Sequence, residues 1–269
     1  MSKDLLIIKL GGAAITDKNK PFTARYDAIR SIILQLKQIE LPYIIIHGAG
    51  SYAHILAKDY KVVNGFVSEL SQDFQMSGVS KIRASMQRLH QIIIDEAEKQ
   101  NINMFSLPIS STMVTSGQTE EELFIKPYRR ALELGFVPIS YGDMTLDTTE
   151  SGFIVVSGDR IIKLLAEHFD EYNIRVIFGS DVDGLFNKDP SKYSDATLIE
   201  HIEINNIKKW LNVAGESAGI DVTGGMTGKL LQIDEISRYV KRIDLINLTV
   251  DGRLLDVLQS DDAISTTFV

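Results

Sequence analysis

The stretch Leu5-Leu6-Ile7-Ile8-Lys9-Leu10-Gly11-Gly12 is apolar from residue 5 to residue 10 except at Lys9, and it ends in paired glycines. A short continuous apolar run of this kind predicts a strand buried on both faces, the mark of a parallel sheet. It breaks at Lys9 and is too short for a secretory leader, so a strand is expected and not a signal peptide. Tyr43-Ile44-Ile45-Ile46-His47, entered through Pro42 and left through Gly48, repeats the pattern. Between the two, Ile29, Ile32, Ile33, Leu36 and Ile39 recur at helical spacing over 23–39, with Thr23 as the expected N-cap. Further out, a helix is predicted near 52–60 and another over 80–99, the latter carrying Ile82, Met86, Leu89, Ile93 and Ala97. Strands are predicted over 104–109, 137–141, 175–179 and 243–249, and helices over 159–168 and 227–239. The turn-rich Asp147-Thr148-Thr149-Glu150-Ser151-Gly152 predicts a hairpin flap at 153–156. Alternating strands and helices give an α/β chain whose sheet is covered on both faces. No repeat, low-complexity tract or long linker divides residues 1–269, and the mildest boundary falls near Phe169–Asn173.

Composition narrows the function classes. The chain has 28 Lys and Arg against 36 Asp and Glu, a net charge of −8, with 44% hydrophobic residues. That balance suits a globular chain able to bury a core. The acidic excess argues against a nucleic-acid footprint, which needs clustered positive charge. No run approaches the roughly 20 apolar residues of a membrane helix. The absence of cysteine excludes disulfides, thiolate metal sites and cysteine nucleophiles, and fits a reducing, cytoplasmic setting. His47, His90, His168 and His201 lack zinc-like spacing, and no G-x-S-x-G elbow is present, so no protein-held metal and no serine hydrolase are expected.

Four glycine-bearing segments, with a fifth that adds carboxylates, carry the chemistry. Lys9-Leu10-Gly11-Gly12-Ala13-Ala14-Ile15-Thr16-Asp17-Lys18 follows the first strand; paired glycines let backbone N–H groups approach a bulky anion, or simply make a turn. An ammonium at Lys9, inside an apolar strand, calls for an anionic partner. His47-Gly48-Ala49-Gly50-Ser51-Tyr52-Ala53-His54 satisfies G-x-G-x-x-G/A, with Glu69 near the acidic offset of a dinucleotide site; a tight strand–helix turn fits equally. Ser157-Gly158-Asp159-Arg160 opens a helix, where an acidic residue commonly caps. Asp221-Val222-Thr223-Gly224-Gly225-Met226-Thr227-Gly228-Lys229 fails as a Walker A loop, because Thr223 replaces the first glycine and Leu230 follows the lysine. Ser180-Asp181-Val182-Asp183-Gly184-Leu185 adds carboxylates at a strand end.

In order, K-x-G-G, H-G-x-G-x-x-x-H, S-G-D, S-D-V-D-G and D-V-T-G-G-M-x-x-K make nearly the whole chain resemble the amino acid kinase superfamily. Within it, His54, Thr16-Asp17-Lys18 and Ile139-Ser140-Tyr141-Gly142-Asp143 resemble the archaeal-type isopentenyl phosphate kinases. The resemblance implies one three-layer αβα sandwich with an open, mainly parallel sheet, an acceptor-binding lobe at 1–170 and a nucleotide-binding lobe at 171–269. It implies ATP-dependent phosphorylation of isopentenyl phosphate to isopentenyl diphosphate, with Mg²⁺ arriving on the ATP, in a cytoplasmic homodimer. Lys9 and Lys229 would bind the transferring phosphoryl group and nearby ATP oxygens, with Asp159 holding both lysines. Gly11, Gly12 and Gly50 would offer backbone donors beside Ala13, and Asp181, Leu185 and Gly225 would surround the nucleotide. His54 would bind the acceptor phosphate near Ala49 and Gly158, with Lys18 adding charge. The apolar tail would rest on the 80–99 helix through Ile82, Met86 or Ile93. Ala13, Ala49, Tyr52, Ala53 and Arg160 depart from the usual family pattern. Other phosphate or phosphonate acceptors fit the same motifs. A nicotinamide oxidoreductase leaves Lys9, Asp159 and Lys229 unused, and a non-catalytic regulator would bind ATP without turnover.

Overall fold

The computed structural model describes residues 3–63, 65–117, 119–188, 190, 192–207, 210 and 224–269. Strands β1 (Lys3–Leu10) and β2 (Tyr43–His47) lie side by side and parallel, with Ile8 opposite Ile45. Their neighbours are β3 (Met104–Ser106), β6 (Val137–Tyr141), β9 (Tyr172–Ser180), β10 (His201–Ile202), β11 (Arg242–Asn247) and β12 (Thr266–Phe268). Together they form an eight-stranded sheet in the order β10-β12-β11-β9-β1-β2-β6-β3. Among the described residues of this sheet, only the β11–β12 pairing is antiparallel. Two hairpins stand outside this sheet: β4 (Met113–Ser116) with β5 (Thr119–Leu123), and β7 (Asp143–Leu146) with β8 (Phe153–Val156).

Strand alternation assigns the layers. Leu5 and Ile7 of β1 with Ile44 and Ile46 of β2 face one core, which α7 (Gly158–His168) covers with Ile161, Ile162 and Leu165. On that face α8 (Gly224–Ile236) adds Leu230, Ile233 and Ile236, and α6 (Lys126–Glu133) adds Tyr128. Leu6, Ile8 and Leu10 face the other core, covered by α2 (Tyr26–Leu36), α4 (Gln72–Lys99) and α9 (Arg253–Gln259). The three-layer αβα sandwich is therefore present, and no helix among the described residues is long and apolar enough to cross a membrane.

Several boundaries differ from expectation. Ala24 bridges Thr16 as extended backbone and the Thr23 hydroxyl donates to Pro21 O (3.0 Å), so α2 starts at Tyr26 and Thr23 is not its cap. A 3₁₀ turn at Gly50–Tyr52 precedes the short α3 (His54–Asp59). Helix α4 begins at Gln72, where Ser71 Oγ accepts from Phe74 N (3.3 Å), two turns before the periodic stretch. The strand predicted over 104–109 stops at Ser106 and passes into the helical turn α5 (Ile109–Thr112).

The carboxyl ends of β1 and β2 meet through backbone. Chain reversal after β1 is made by α1 (Gly12–Ile15), and a Cβ on Gly12 would lie 2.2 Å from the amide nitrogen of Gly50. Gly50 has φ of 50°, and its own Cβ would lie 2.0 Å from Thr16 Oγ1. That hydroxyl ties the loops, donating to Gly12 O (2.7 Å) and accepting from Ser51 N (3.0 Å). We predict that Gly12→Ala, whose methyl must push two backbones apart, lowers stability by about 1–3 kcal/mol. The check is the urea midpoint at unchanged m-value; an unshifted midpoint would contradict the contact.

Candidate active site

The ends of β1, β2 and β6 open onto one cleft, the position at which open α/β sheets bind ligands. Lys9 lies on the same side of β1 as Leu5 and Ile7, so its side chain runs toward the α7 layer. There its ammonium pairs with Asp159, 150 positions away, which supplies the partner that an apolar strand demands. Its Nζ also sits 5.5 Å from the centre of the Phe178 ring. The cap of α7 is Ser157, whose Oγ accepts from Arg160 N (3.2 Å). Asp159 is thus spared the capping duty that its position suggested, and its carboxylate is left to face Lys9.

Two further lysines converge on the pair. Lys18 Nζ lies 3.1 Å from Asp181 Oδ2, joining the loop after β1 to the end of β9. Lys229, in the first half of α8, has its ammonium pulled below the ordinary lysine value, first by burial and then by the charge of Lys9. Asp159 and Asp181 act on it in the opposite sense. Lys9, Lys18 and Lys229 therefore share the carboxylates of Asp159 and Asp181, an arrangement with positive charge to spare for an anion.

The cleft, about 600 Å³, has two unlike halves. Lys9, Lys18, His54, Ser157 and Asp159 line the polar half, together with Gly12, Ala13, Ala49, Gly50 and Gly158. His54 is the exposed first residue of α3. Ile55, Val63, Ile82, Met86, Met144 and Val155 line the apolar half. Helix α4 is a wall as expected through Ile82 and Met86, whereas Ile93 is fully buried in the core and does not reach the cleft. Ile55 and Val63 carried no signal in the sequence, because they are exposed residues of a weakly periodic segment. Thr16, fully buried between the glycine loops, was likewise given no role of its own.

Other expected contacts fall elsewhere. The amide of Gly11 donates to Gly179 O (2.8 Å), so it is not a free donor; glycine is needed there because a Cβ would lie 2.3 Å from that oxygen. Leu185 is core: its amide donates to Thr266 Oγ1 (2.7 Å), its carbonyl accepts from Ile199 N (2.8 Å), and its side chain is 2% exposed. Gly225 falls in the first turn of α8, while Asp221, Val222 and Thr223 lie outside the described residues. Burial lowers the Arg160 guanidinium, with Glu120 and Asp147 opposing, so this departure from the family pattern is matched by carboxylates beside the β4–β5 hairpin. Gly48 precedes a 3₁₀ turn that Gly50 begins and Ala53 follows, and Gly50 packs on Gly12; this is not the strand–helix crevice of a dinucleotide site.

Comparison with known proteins agrees with this geometry. The amino acid kinase family model matches residues 4–243. The isopentenyl phosphate kinase of Thermoplasma acidophilum is 32% identical over 94% of this chain and 96% of its own. That of Methanocaldococcus jannaschii is 31% identical, with 84% and 85% covered. A crystal structure of an isopentenyl phosphate kinase substrate complex superposes with a TM-score of 0.80 at 28% identity, covering 99% of this chain and all (100%) of the other. Carbamate kinase from Giardia lamblia, at 14% identity and a TM-score of 0.68, shares the fold. The chain belongs to the amino acid kinase family, on the branch of the isopentenyl phosphate kinases.

Proposed function

We propose that the chain transfers the γ-phosphoryl group of ATP to isopentenyl phosphate, giving isopentenyl diphosphate and ADP. The observation that carries this reading is the cleft itself. Lys9, Lys18 and Asp159 line one end, with Asp181 paired to Lys18 and Lys229 within reach of their charges, and a short pocket of Ile55, Val63, Ile82, Met86, Met144 and Val155 lines the other. A phosphate monoester with a small branched hydrocarbon tail has the same division. In the transfer, an oxygen of the acceptor phosphate bonds to the γ-phosphorus while the bond to the β-bridging oxygen breaks and ADP leaves. The acceptor phosphate ionises for the second time near about pH 6, so it needs no strong general base.

The protein's task is then to hold charges. Lys9 and Lys229 neutralise the moving phosphoryl group, and Asp159 keeps both ammonium groups aimed at it. Gly12, Gly50 and Ala13 bring backbone to the phosphates, and Asp181 and Gly225 border the nucleotide. His54, with Ala49, Gly158 and Lys18, holds the acceptor phosphate. Among the described residues, no group of three or more His, Asp or Glu could hold a metal by itself; Asp159 and Asp181 already face lysines, and Asp143 in the cleft faces Arg83. Mg²⁺ would therefore arrive on the nucleotide and would supply positive charge against its phosphates. Residues 1–170 act as the acceptor lobe and 171–269 as the nucleotide lobe of a cytoplasmic homodimer.

Removing either clamp lysine, by Lys9→Ala or Lys229→Ala, should lower kcat by roughly a hundredfold or more. Asp159→Asn should lower it too. Near-normal turnover in both folded lysine variants would refute the clamp. For the acceptor, His54→Ala should nearly abolish turnover while ATP affinity by calorimetry stays close to normal, and His54→Gln, which keeps a donor, should retain a small part. Wild-type kcat and acceptor KM in His54→Ala would make the histidine structural. The tail pocket is probed by Met86→Ala, which enlarges its floor and should raise kcat/KM for longer prenyl phosphates relative to isopentenyl phosphate. An unchanged chain-length profile would place the tail elsewhere.

A further inference from the structure

We infer that His47 is a positioning residue for the acceptor phosphate: its imidazole holds the Gly48 carbonyl toward the core and thereby aims the next amide into the cleft. The inference rests on the assignment of the 48–54 loop to the acceptor.

His47 ends β2 and is fully buried, and no step described above uses it. Its Nδ1 lies 3.1 Å from Gly48 O. A carbonyl only accepts, so Nδ1 carries the proton and Nε2 is the bare nitrogen of a neutral ring. That nitrogen lies 3.1 Å from Nδ1 of His90, which donates to it. The Nε2 of His90, bare in its turn, accepts from Ser106 Oγ at 2.7 Å. The two imidazoles meet edge to edge, 23° from coplanar, and the Tyr141 ring lies against His47 at 4.9 Å between centres. Burial holds both rings neutral, His47 down to about 3 and His90 down to about 4. In the neutral pair, the carbonyl of Gly48 fixes every proton in the chain.

The peptide from Gly48 to Ala49 is trans, so its C=O and N–H point in opposite directions. With the oxygen held against His47, the N–H of Ala49 faces the cleft that Ala49 lines. The amides of Ala49 and Gly50 donate to no group among the described residues. Glycine is required at 48, since a Cβ would lie 2.8 Å from Gly12 N. The absence of that Cβ also leaves the peptide plane free to turn, and the imidazole removes this freedom.

Three variants and one spectroscopic measurement test the assignment. His47→Leu keeps bulk without a donor and should raise the KM for isopentenyl phosphate about tenfold, the worth of one misdirected hydrogen bond, with ATP KM unchanged. His47→Asn places an amide N–H near the position of Nδ1 and should recover most of the loss. His90→Leu should give a smaller rise, because it acts one step further away. In the wild-type protein, nitrogen-15 spectra of labelled histidine should show His47 and His90 neutral at pH 7 with the proton on Nδ1. An unchanged acceptor KM in folded His47→Leu, or a proton on Nε2 of His47, overturns the proposal. Failure of the wild-type protein to phosphorylate isopentenyl phosphate would instead remove the acceptor assignment, and the spectra would still decide the geometry at Gly48.

Discussion

An ammonium group inside an apolar parallel strand has to be paired, and Lys9 meets that demand at Asp159. The pairing joins the end of β1 to the first turn of α7, so the start of that helix is held over the mouth of the sheet. It also explains why Ser157 caps α7 when Asp159 is so close to the capping position. A charge that would destabilise the strand in isolation becomes the anchor around which Lys229, Lys18 and Asp181 are arranged. The cost of desolvating Lys9 is met by the same carboxylate that keeps it aimed.

The second constraint is steric. Gly12 and Gly50 bring two loops closer than any side chain would allow, and the Thr16 hydroxyl ties them, donating to Gly12 O and accepting from Ser51 N. Backbone donors from two strands are thereby gathered at one end of a cleft whose other end is hydrocarbon. The polar end is built from the end of β1, the loops that follow β1 and β2, and the first turns of α3 and α7. The apolar end is built partly from α4, partly from the β7–β8 hairpin and partly from the exposed residues Ile55 and Val63. The charged half is thus separate from the apolar half, and substitutions in one need not disturb the other.

Much of this was legible in the residues. Continuous apolar strands, the glycine pairs that follow them and the lone lysine in β1 all state their physical requirement locally. What escaped did so for identifiable reasons. The first two turns of α4 invert the usual pattern: Phe74 and Met76 face solvent while Gln75 is fully buried, accepting from Val67 N and donating to Lys61 O and Gly65 O. The β4–β5 hairpin is largely polar and so resembles a loop in sequence. Leu185 sat inside a carboxylate-bearing motif, yet its packing against the core outweighed its neighbours. The amide of Gly11 looked available only because its strand partner at Gly179 is remote in sequence.

The order of strands has a consequence for how the chain reaches this state. The stretches at 5–10 and 43–47 are short, β-prone and almost uncharged, the composition of aggregation-prone segments. In the folded sheet both are interior, and the edges are β10 and β3, of two and three residues, which offer little for another chain to pair with. During synthesis the protection arrives late. β1 can pair with β2 early, but its other side stays open until residues 172–180 have emerged to form β9. Parallel pairing over such a separation is slow, so the nascent first half passes through a period with an uncovered, sticky strand edge. The order of strands thus makes the speed of that closure matter beside the stability of the finished sheet.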